Sequence, residues 1–287
     1  MLDRTGCRPE LLTHFMHYEE FHPNPPLDRF IKCIWSLESE AEHQTNPERI
    51  LPDGCTEMVF HLADPFDQPN DDGSFVRQPT ALLVGQMRGH LLIQPTGRVR
   101  VLGVRFRPGG AYPFLSVPQN EITGRVIALD SIWGTIAREL HSRIADAPTN
   151  AECVRCVEKI LTERLKGSRG LDEQSFYAVD LINNSNGSVQ LDRLARDVGI
   201  SFRSLDRIFN ARVGLSPKTL CRIVRFQSVF KLFERKSNKQ DWARIALDCG
   251  YYDQAHFVKE FREFSGKTPT AYFAEQNAIS DLFIASS

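Results

Sequence analysis

From about residue 27 to residue 110, short apolar runs alternate with clusters of turn-forming residues. The runs are 30–38 (FIKCIWSLE), 56–62 (TEMVFHL), 81–86 (ALLVGQ), 90–94 (HLLIQ) and 98–106 (RVRVLGVRF). Each is rich in β-branched and aromatic side chains, which suit a pleated surface with one packed face. Between them lie PDG at 52–54, a polar loop at 64–74 and PTG at 95–97, all good turn chemistry. This spacing predicts a compact antiparallel sheet or small barrel. Residues before about 25 read as irregular and end in the stiff HPNPP stretch at 22–26.

After Gly110 the period lengthens. Ile132, Ile136, Leu140 and Ile144 recur every four residues, and Val154, Val157, Ile160, Leu161 and Leu165 continue the pattern. Two amphipathic helices are expected, packed on the sheet or on another subunit. A short GSRG linker at 167–170 follows, and from Leu171 onward the pattern is helical until a tail begins after about Asn277. The expected domains are therefore 1–166, 171–276 and a tail at 277–287. The fold class is α+β: antiparallel β, helices, then an all-α body.

Within that body one design occurs twice. Leu191, Leu194 and Ala195 form a short apolar face, Gly199 ends the helix, and Ser201 caps a second helix with Leu205, Ile208 and Phe209 inward. Trp242, Ile245 and Ala246 repeat the face, Gly250 the turn, and Asp253 the cap of a helix with Phe257 and Phe261 inward. Helix, tight glycine turn and capped helix make a helix-turn-helix, and two copies are far more specific than one. Between them Ser216-Pro217 opens a long helix striped by Leu220, Ile223, Val224, Phe230 and Phe233. Some 20 residues span roughly 30 Å, close to the ~34 Å between successive major-groove faces on one side of B-DNA.

Charge adds modest support. The chain's net charge is −1, but residues 171–275 carry 16 Lys and Arg against 13 Asp and Glu. A mildly basic reader is thus joined to a mildly acidic partner domain. No apolar run approaches the ~18 residues of a membrane span, and the N-terminus has no secretory pattern, so a cytoplasmic location is expected. Seven cysteines, mostly isolated, argue against a disulfide framework.

The segment 245–273 (IALDCGYYDQAHFVKEFREFSGKTPTAYF) and its earlier counterpart 194–220 resemble the AraC/XylS family of transcription regulators. The shared features are Ile245-Ala246, Gly250-Tyr251, His256-Phe257, Phe261, Phe264, and Gly266, Pro269 and Tyr272 of a G-x-x-P-x-x-(F/Y) ending. The resemblance implies that Arg203, Asp206 and Arg207 face bases from the first reading helix, and Gln254, His256 and Lys259 from the second. Arginine suits guanine and glutamine suits adenine. Asp206 would repel phosphate, so it is expected to orient Arg203 or Arg207, with acceptance from a cytosine as the alternative. Ser201 and Asp253 are expected to act as caps; Lys218, Arg222 and Arg225 are either phosphate contacts or solvated helix charge. The N-terminal half, through ILPDG at 50–54, VGQ at 84–86 and LGVRFRPGGA at 102–111, is similar to a cupin-like regulatory domain found ahead of this reader in some members. That implies a sensing or dimerising domain without naming a ligand.

Three constellations in the first domain have the residue types for chemistry. Asp53, Cys55, Glu57 and His61 alternate onto one strand face and suit a metal or a structural turn. Arg105 and Arg107 beside Gly109-Gly110 suit an anion or a strand end. Cys153-x-x-Cys156 shares one helix face and suits packing or a redox switch. Of these, Asp53, Glu57, Arg105 and Arg107 are the candidate effector contacts; no catalytic residue, metal or cofactor is expected. A DNA-repair arrangement of N-terminal cysteines is rejected because Cys7, Cys33 and Cys55 are too dispersed. The leading reading is a sequence-specific regulator that binds promoter DNA, senses a small effector or dimerises, and engages RNA polymerase if it is an activator. A homodimer is expected. The competing readings are a constitutive dimeric DNA-binding protein and an enzyme with an accessory DNA module; no enzyme motif supports the last.

Overall fold

The computed structural model describes residues 16–39, 47–70, 72–168, 173–235, 241–275 and 279. The strands are β1 (Met16–Phe21), β2 (Ile31–Ser39), β3 (Glu48–Ile50), β4 (Thr56–His61), β5 (Asp67–Pro69), β6 (Phe75–Arg77), β7 (Ala81–Val84), β8 (Leu91–Ile93), β9 (Val99–Phe106) and β10 (Val126–Ala128). Six of them form an antiparallel sheet in the order β1-β2-β9-β4-β7-β10, while β3-β8 and β5-β6 are separate two-stranded ribbons. All five apolar runs of the sequence appear as strands. β1 was not expected, because MHYEEF carries polar residues at most positions; it is an edge strand paired to β2 from Met16↔Ser39 to Phe21↔Ile34.

The sheet has two apolar faces with different neighbours. One packs Ile31, Ile34, Met58, Leu83 and Val104 against the helices that follow it. The other packs Trp35, Leu37, Val59, Leu82 and Val101 with Leu91 and Ile93 of a ribbon. This two-sided burial explains why β9 reads as a nearly continuous apolar run. Gly103 is required here: a Cβ at that position would lie 2.1 Å from the Trp35 ring.

The helices between sheet and C-terminal body are α1 (Tyr112–Leu115), α2 (Asp130–Trp133), α3 (Thr135–Ala145) and α4 (Asn150–Lys166). They pack on the sheet. Gly134 (φ +59°) separates α2 from α3. The buried face becomes Trp133, Ala137, Leu140 and Ile144, and Ile136 is left exposed, contrary to the four-residue period in the sequence. Cys153 is fully buried and its Sγ donates to the Ile144 carbonyl at 3.4 Å; burial pushes its thiol up. Packing, not a redox pair, accounts for this cysteine.

The C-terminal body comprises α5 (Glu173–Asn184), α6 (Leu191–Val198), α7 (Phe202–Arg212), α8 (Pro217–Arg235), α9 (Trp242–Asp248), α10 (Gln254–Ser265) and α11 (Pro269–Phe273). Its core is a cluster of aromatic rings, with Phe226, Phe230, Phe257, Phe261, Phe264 and Tyr272 all buried. Residues 169–170 of the anticipated linker at 167–170 lie outside the described residues, as do most of the anticipated tail and Cys7.

The two halves are in close contact despite the short linker. Leu51 belongs to the C-terminal core, and Gln227 Nε2 donates to the Pro52 carbonyl at 2.7 Å. Thr123 Oγ1 donates to the Gly214 carbonyl at 2.7 Å, and Arg212 lies 4.0 Å over the Tyr112 ring. At Gly54 (φ +82°) a Cβ would approach Leu220 Cδ1 to 2.9 Å. The ILPDG segment is thus the dock on which α8 sits.

Candidate nucleic-acid interface and cavity

Each helix-turn-helix is built by the same local rules. In the first, Gly199 (φ +77°) closes α6 in the left-handed conformation that glycine adopts without strain. Ser201 Oγ then accepts the Ser204 N–H and starts α7. In the second, Gly250 (φ +78°) follows α9, and Asp253 Oδ1 accepts the His256 N–H at 2.7 Å to start α10. Ser201 and Asp253 are therefore caps, as anticipated. A carboxylate cap also complements the positive end of the helix dipole.

α7 buries Leu205 and Phe209 and exposes Arg203 and Arg207. α10 buries Phe257 and Phe261 and exposes Gln254, His256 and Lys259. Each helix thus presents a donor-rich outer face. Asp206 differs from expectation. It is half-buried, and Asn210 Nδ2 donates both to its carboxylate at 3.2 Å and to its carbonyl at 2.8 Å. Asn210 lies one turn on along α7, within reach of the Asp206 carboxylate. Asp206 stiffens α7 and holds neither arginine.

α8 spans 19 residues, roughly 30 Å at 1.5 Å each. Of its three candidate cations, Arg222 forks between Glu260 Oε2 (2.7 Å) and Glu263 Oε2 (2.6 Å), fastening α10 to α8. Arg225 donates to the Gly187 carbonyl at 3.1 Å. Both are internal ties. Lys218 is exposed, beside His256 and Lys259 along a groove. Phe202, the first residue of α7, and Tyr252, in the turn before α10, are exposed large rings that the sequence reading passed over.

The second site is a cavity of about 80 Å³ between the main sheet and the β3-β8 ribbon. Its wall is mostly apolar, with a polar patch formed by Asp53, Glu57, His61 and Arg105. Arg105 is almost fully buried; its Nε donates to Glu57 Oε1 at 2.6 Å and lies 3.7 Å from Asp53 Oδ2. Asp53 Oδ1 also accepts the Cys55 N–H at 2.9 Å, which makes the turn. Burial pushes the Glu57 carboxyl up, against the field of Arg105. The structure therefore joins Asp53 and Glu57 to Arg105 and leaves Arg107 out. Arg107 is exposed, bonds the Asp28 carbonyl at 3.1 Å and lines a separate cleft. No anion cradle forms with Gly109-Gly110, since Gly110 is pressed against the Phe30 carbonyl. Among the described residues no cluster of three or more His, Cys, Asp or Glu could hold a metal ion.

His61 Nε2 meets Gln78 Oε1 at 3.1 Å, and burial lowers its pKa from 6.5 to about 4. The unfolded chain therefore takes a proton near pH 6.5 that the folded chain refuses until about pH 4. Stability from this group is fully present above pH 6.5 and is lost as the pH falls through that window, by about 3 kcal/mol. Urea midpoints at pH 7 and pH 4.5 are expected to fall less in His61→Phe than in the parent. Equal slopes in the two proteins would refute this.

Among the cavity residues that sequence reasoning missed are Gln78, Gln227 and Ile279. Of these, only Gln227 left a signal. It falls on the apolar stripe of α8, four residues after Ile223 and three before Phe230, where a polar side chain is out of pattern.

Repeated capped helices with outward-facing donors on a rigid connector define a tandem helix-turn-helix DNA-binding domain. Residues 194–275 match the helix-turn-helix domain family, and this body is of the AraC type. Residues 19–128 match a domain family of unknown function, DUF6597. The chain is 30% identical over 94 residues to an uncharacterized HTH-type transcriptional regulator of Haemophilus influenzae, covering 33% of this chain and 31% of that protein. It is 28% identical to XylDLEGF operon transcriptional activator 3 of Pseudomonas putida over 31% of this chain and 27% of the relative. It is 26% identical to the HTH-type transcriptional regulator GbdR of Pseudomonas aeruginosa over 54% of this chain and 43% of the relative. The chain thus spans less than half the length of the curated relatives it matches. No described helix is long and apolar enough to cross a membrane.

Proposed function

We propose that this protein is a sequence-specific transcription regulator that reads two successive major-groove segments with α7 and α10. The observation carrying this reading is the pairing of exposed Arg203 and Arg207 on α7 with exposed Gln254, His256 and Lys259 on α10, two capped helices joined through α8. Ser201 sits at the helix start, where it can meet a phosphate. The relatives named as transcriptional regulators support the same role over the reader. The first domain, residues 1–166 on the sequence reading, then tells the reader when to act. Its cavity would hold a small effector near Asp53, Glu57 and Arg105, and RNA polymerase and a second copy of the chain are the expected protein partners. Nothing in this role calls for catalysis.

Arg207→Ala is expected to weaken binding to an operator selected from random duplexes by about 1–3 kcal/mol and to relax preference at one base position. The urea midpoint should not move, because the side chain is exposed. Unchanged affinity and unchanged footprint would remove Arg207 from the reading face.

A further inference from the structure

Two residues of the cavity wall come from the C-terminal half: Gln227 on α8 and Ile279 beyond α11. Ile279 is 1% exposed and packs in the same cluster as Leu37, Val59, Leu82, Leu91 and Ile93. Its N–H donates to the buried Glu48 Oε2 at 2.6 Å, and Arg49 lies 3.7 Å from Glu275. An apolar side chain from the reader half therefore already sits in the first domain.

The remaining space has a definite chemistry. His61 Nδ1 and Gln227 Oε1 are buried and meet no hydrogen-bond partner among the described residues. Gln78 Oε1 can only accept, so His61 Nε2 carries the ring proton and Nδ1 presents a lone pair. Gln227 commits its amide N–H to Pro52 and keeps its carbonyl oxygen unsatisfied. Buried acceptors without donors are costly in apolar surroundings, so a ligand that donates to them is favoured. A carboxylate is not: Asp53 and Glu57 already hold Arg105, and a further anion would face their charge as well as the two lone pairs. Size matters too. About 80 Å³ is less than the ~150 Å³ that accommodates benzene in an apolar cavity, and the sec-butyl group of Ile279 takes up adjoining space.

We propose that this cavity binds a small, largely apolar molecule bearing a hydrogen-bond donor, and that Ile279 occupies the space its apolar part takes, so that ligand and Ile279 exclude one another. The proposal rests on the sensing role given to the cavity above. It also couples the halves: a ligand that expels Ile279 and donates to Gln227 acts on the segment after α11 and on the helix that spaces the two readers. By linkage, whatever favours the ligand disfavours the seated Ile279.

The test uses the full chain with phenol, toluene and benzoate as probes of similar size, followed by calorimetric titration. Phenol is expected to bind more tightly than toluene and benzoate not at all. Ile279→Ala is expected to bind phenol at least tenfold more tightly, because nothing must be displaced, with the conservative Ile279→Val in between. His61→Phe should reduce the preference for phenol over toluene, and His61→Phe combined with Gln227→Leu should erase it. In the parent chain, saturating phenol should shift the methyl resonance of Ile279 to that of a solvent-exposed isoleucine. Benzoate binding as tightly as phenol overturns the ligand class while leaving a sensing cavity. Equal phenol affinity in parent, Ile279→Val and Ile279→Ala overturns the exclusion. Absence of binding by all three probes in every variant, with operator affinity unmoved, overturns both this proposal and the sensing role.

Discussion

Arg105→Met should lower the stability of the protein by about 3–5 kcal/mol at neutral pH, read as a fall in the urea midpoint. The guanidinium is 1% exposed and sits 2.6 Å from Glu57 and 3.7 Å from Asp53. Removing it leaves carboxylates in an apolar wall without their cation, and a buried charge deprived of its partner costs that much. Methionine fills most of the space, so the loss comes from charge and not from a cavity. Replacing Arg105 with Met and Glu57 with Leu together should recover much of the deficit, since removing both charges also removes their desolvation cost. The pH dependence has a fixed sign. Burial already raises the Glu57 carboxyl, and without Arg105 it rises further. A carboxyl with a raised folded pKa is least unfavourable when protonated, so the deficit should shrink between pH 7 and pH 5. A deficit under 1 kcal/mol at pH 7, or one that grows on acidification, would contradict this account.

Phe261→Ala should cost about 3–5 kcal/mol, the range for truncating a fully buried phenylalanine. Its ring is 0% exposed and stands 5.2 Å from Phe226, 5.9 Å from Phe230, 5.7 Å from both Phe257 and Tyr272, and 6.0 Å from Phe273. It therefore joins α8, α10 and α11, and truncation opens a void where three helices meet. Operator binding should fail together with the cooperative unfolding of the C-terminal body, with near-normal affinity retained only at temperatures where the body stays folded. Arg207→Ala makes the contrast: lost affinity with an unmoved midpoint. A Phe261→Ala protein with the parent's midpoint would mean that the aromatic cluster repacks without cost.

The reader was largely legible in the sequence because its determinants are local. Gly199 and Gly250 terminate helices through their backbone freedom, Ser201 and Asp253 cap the next ones, and the spacing of Leu205/Phe209 and Phe257/Phe261 fixes which face is buried. Exposure of Arg203, Arg207, Gln254, His256 and Lys259 then follows from 3.6-residue periodicity. The same logic failed where a strict four-residue repeat was read. At 3.6 residues per turn such a stripe drifts, so α3 buries Ala137 with Leu140 and Ile144 and leaves Ile136 outside. It also failed for Asp206, whose partner is Asn210.

The sheet shows a similar division. Runs of β-branched and aromatic residues between turn clusters identified β2, β4, β7, β8 and β9, and alternation along the strand placed Asp53, Cys55, Glu57 and His61 on one face. It carried no information on which strand lies alongside. Glu57 and Arg105 are 48 residues apart in the chain and meet because β4 pairs with β9 at Glu57↔Arg105. Arg107, two residues on, has left the strand and turns to Asp28.

What the sequence determined by itself was the pair of capped reading helices, their outward faces, the length of their connector and the strand segments of the first domain. These depend on backbone preference and short-range periodicity, which are encoded within a turn or two of chain. Only the tertiary structure decided that Arg105 neutralises Glu57, that ILPDG docks on α8, and that Gln227 and Ile279 complete a cavity in the other half. Those contacts join residues as far as 231 positions apart, as between Glu48 and Ile279, and their free energy comes from burial and charge pairing that exist only once distant surfaces close on one another.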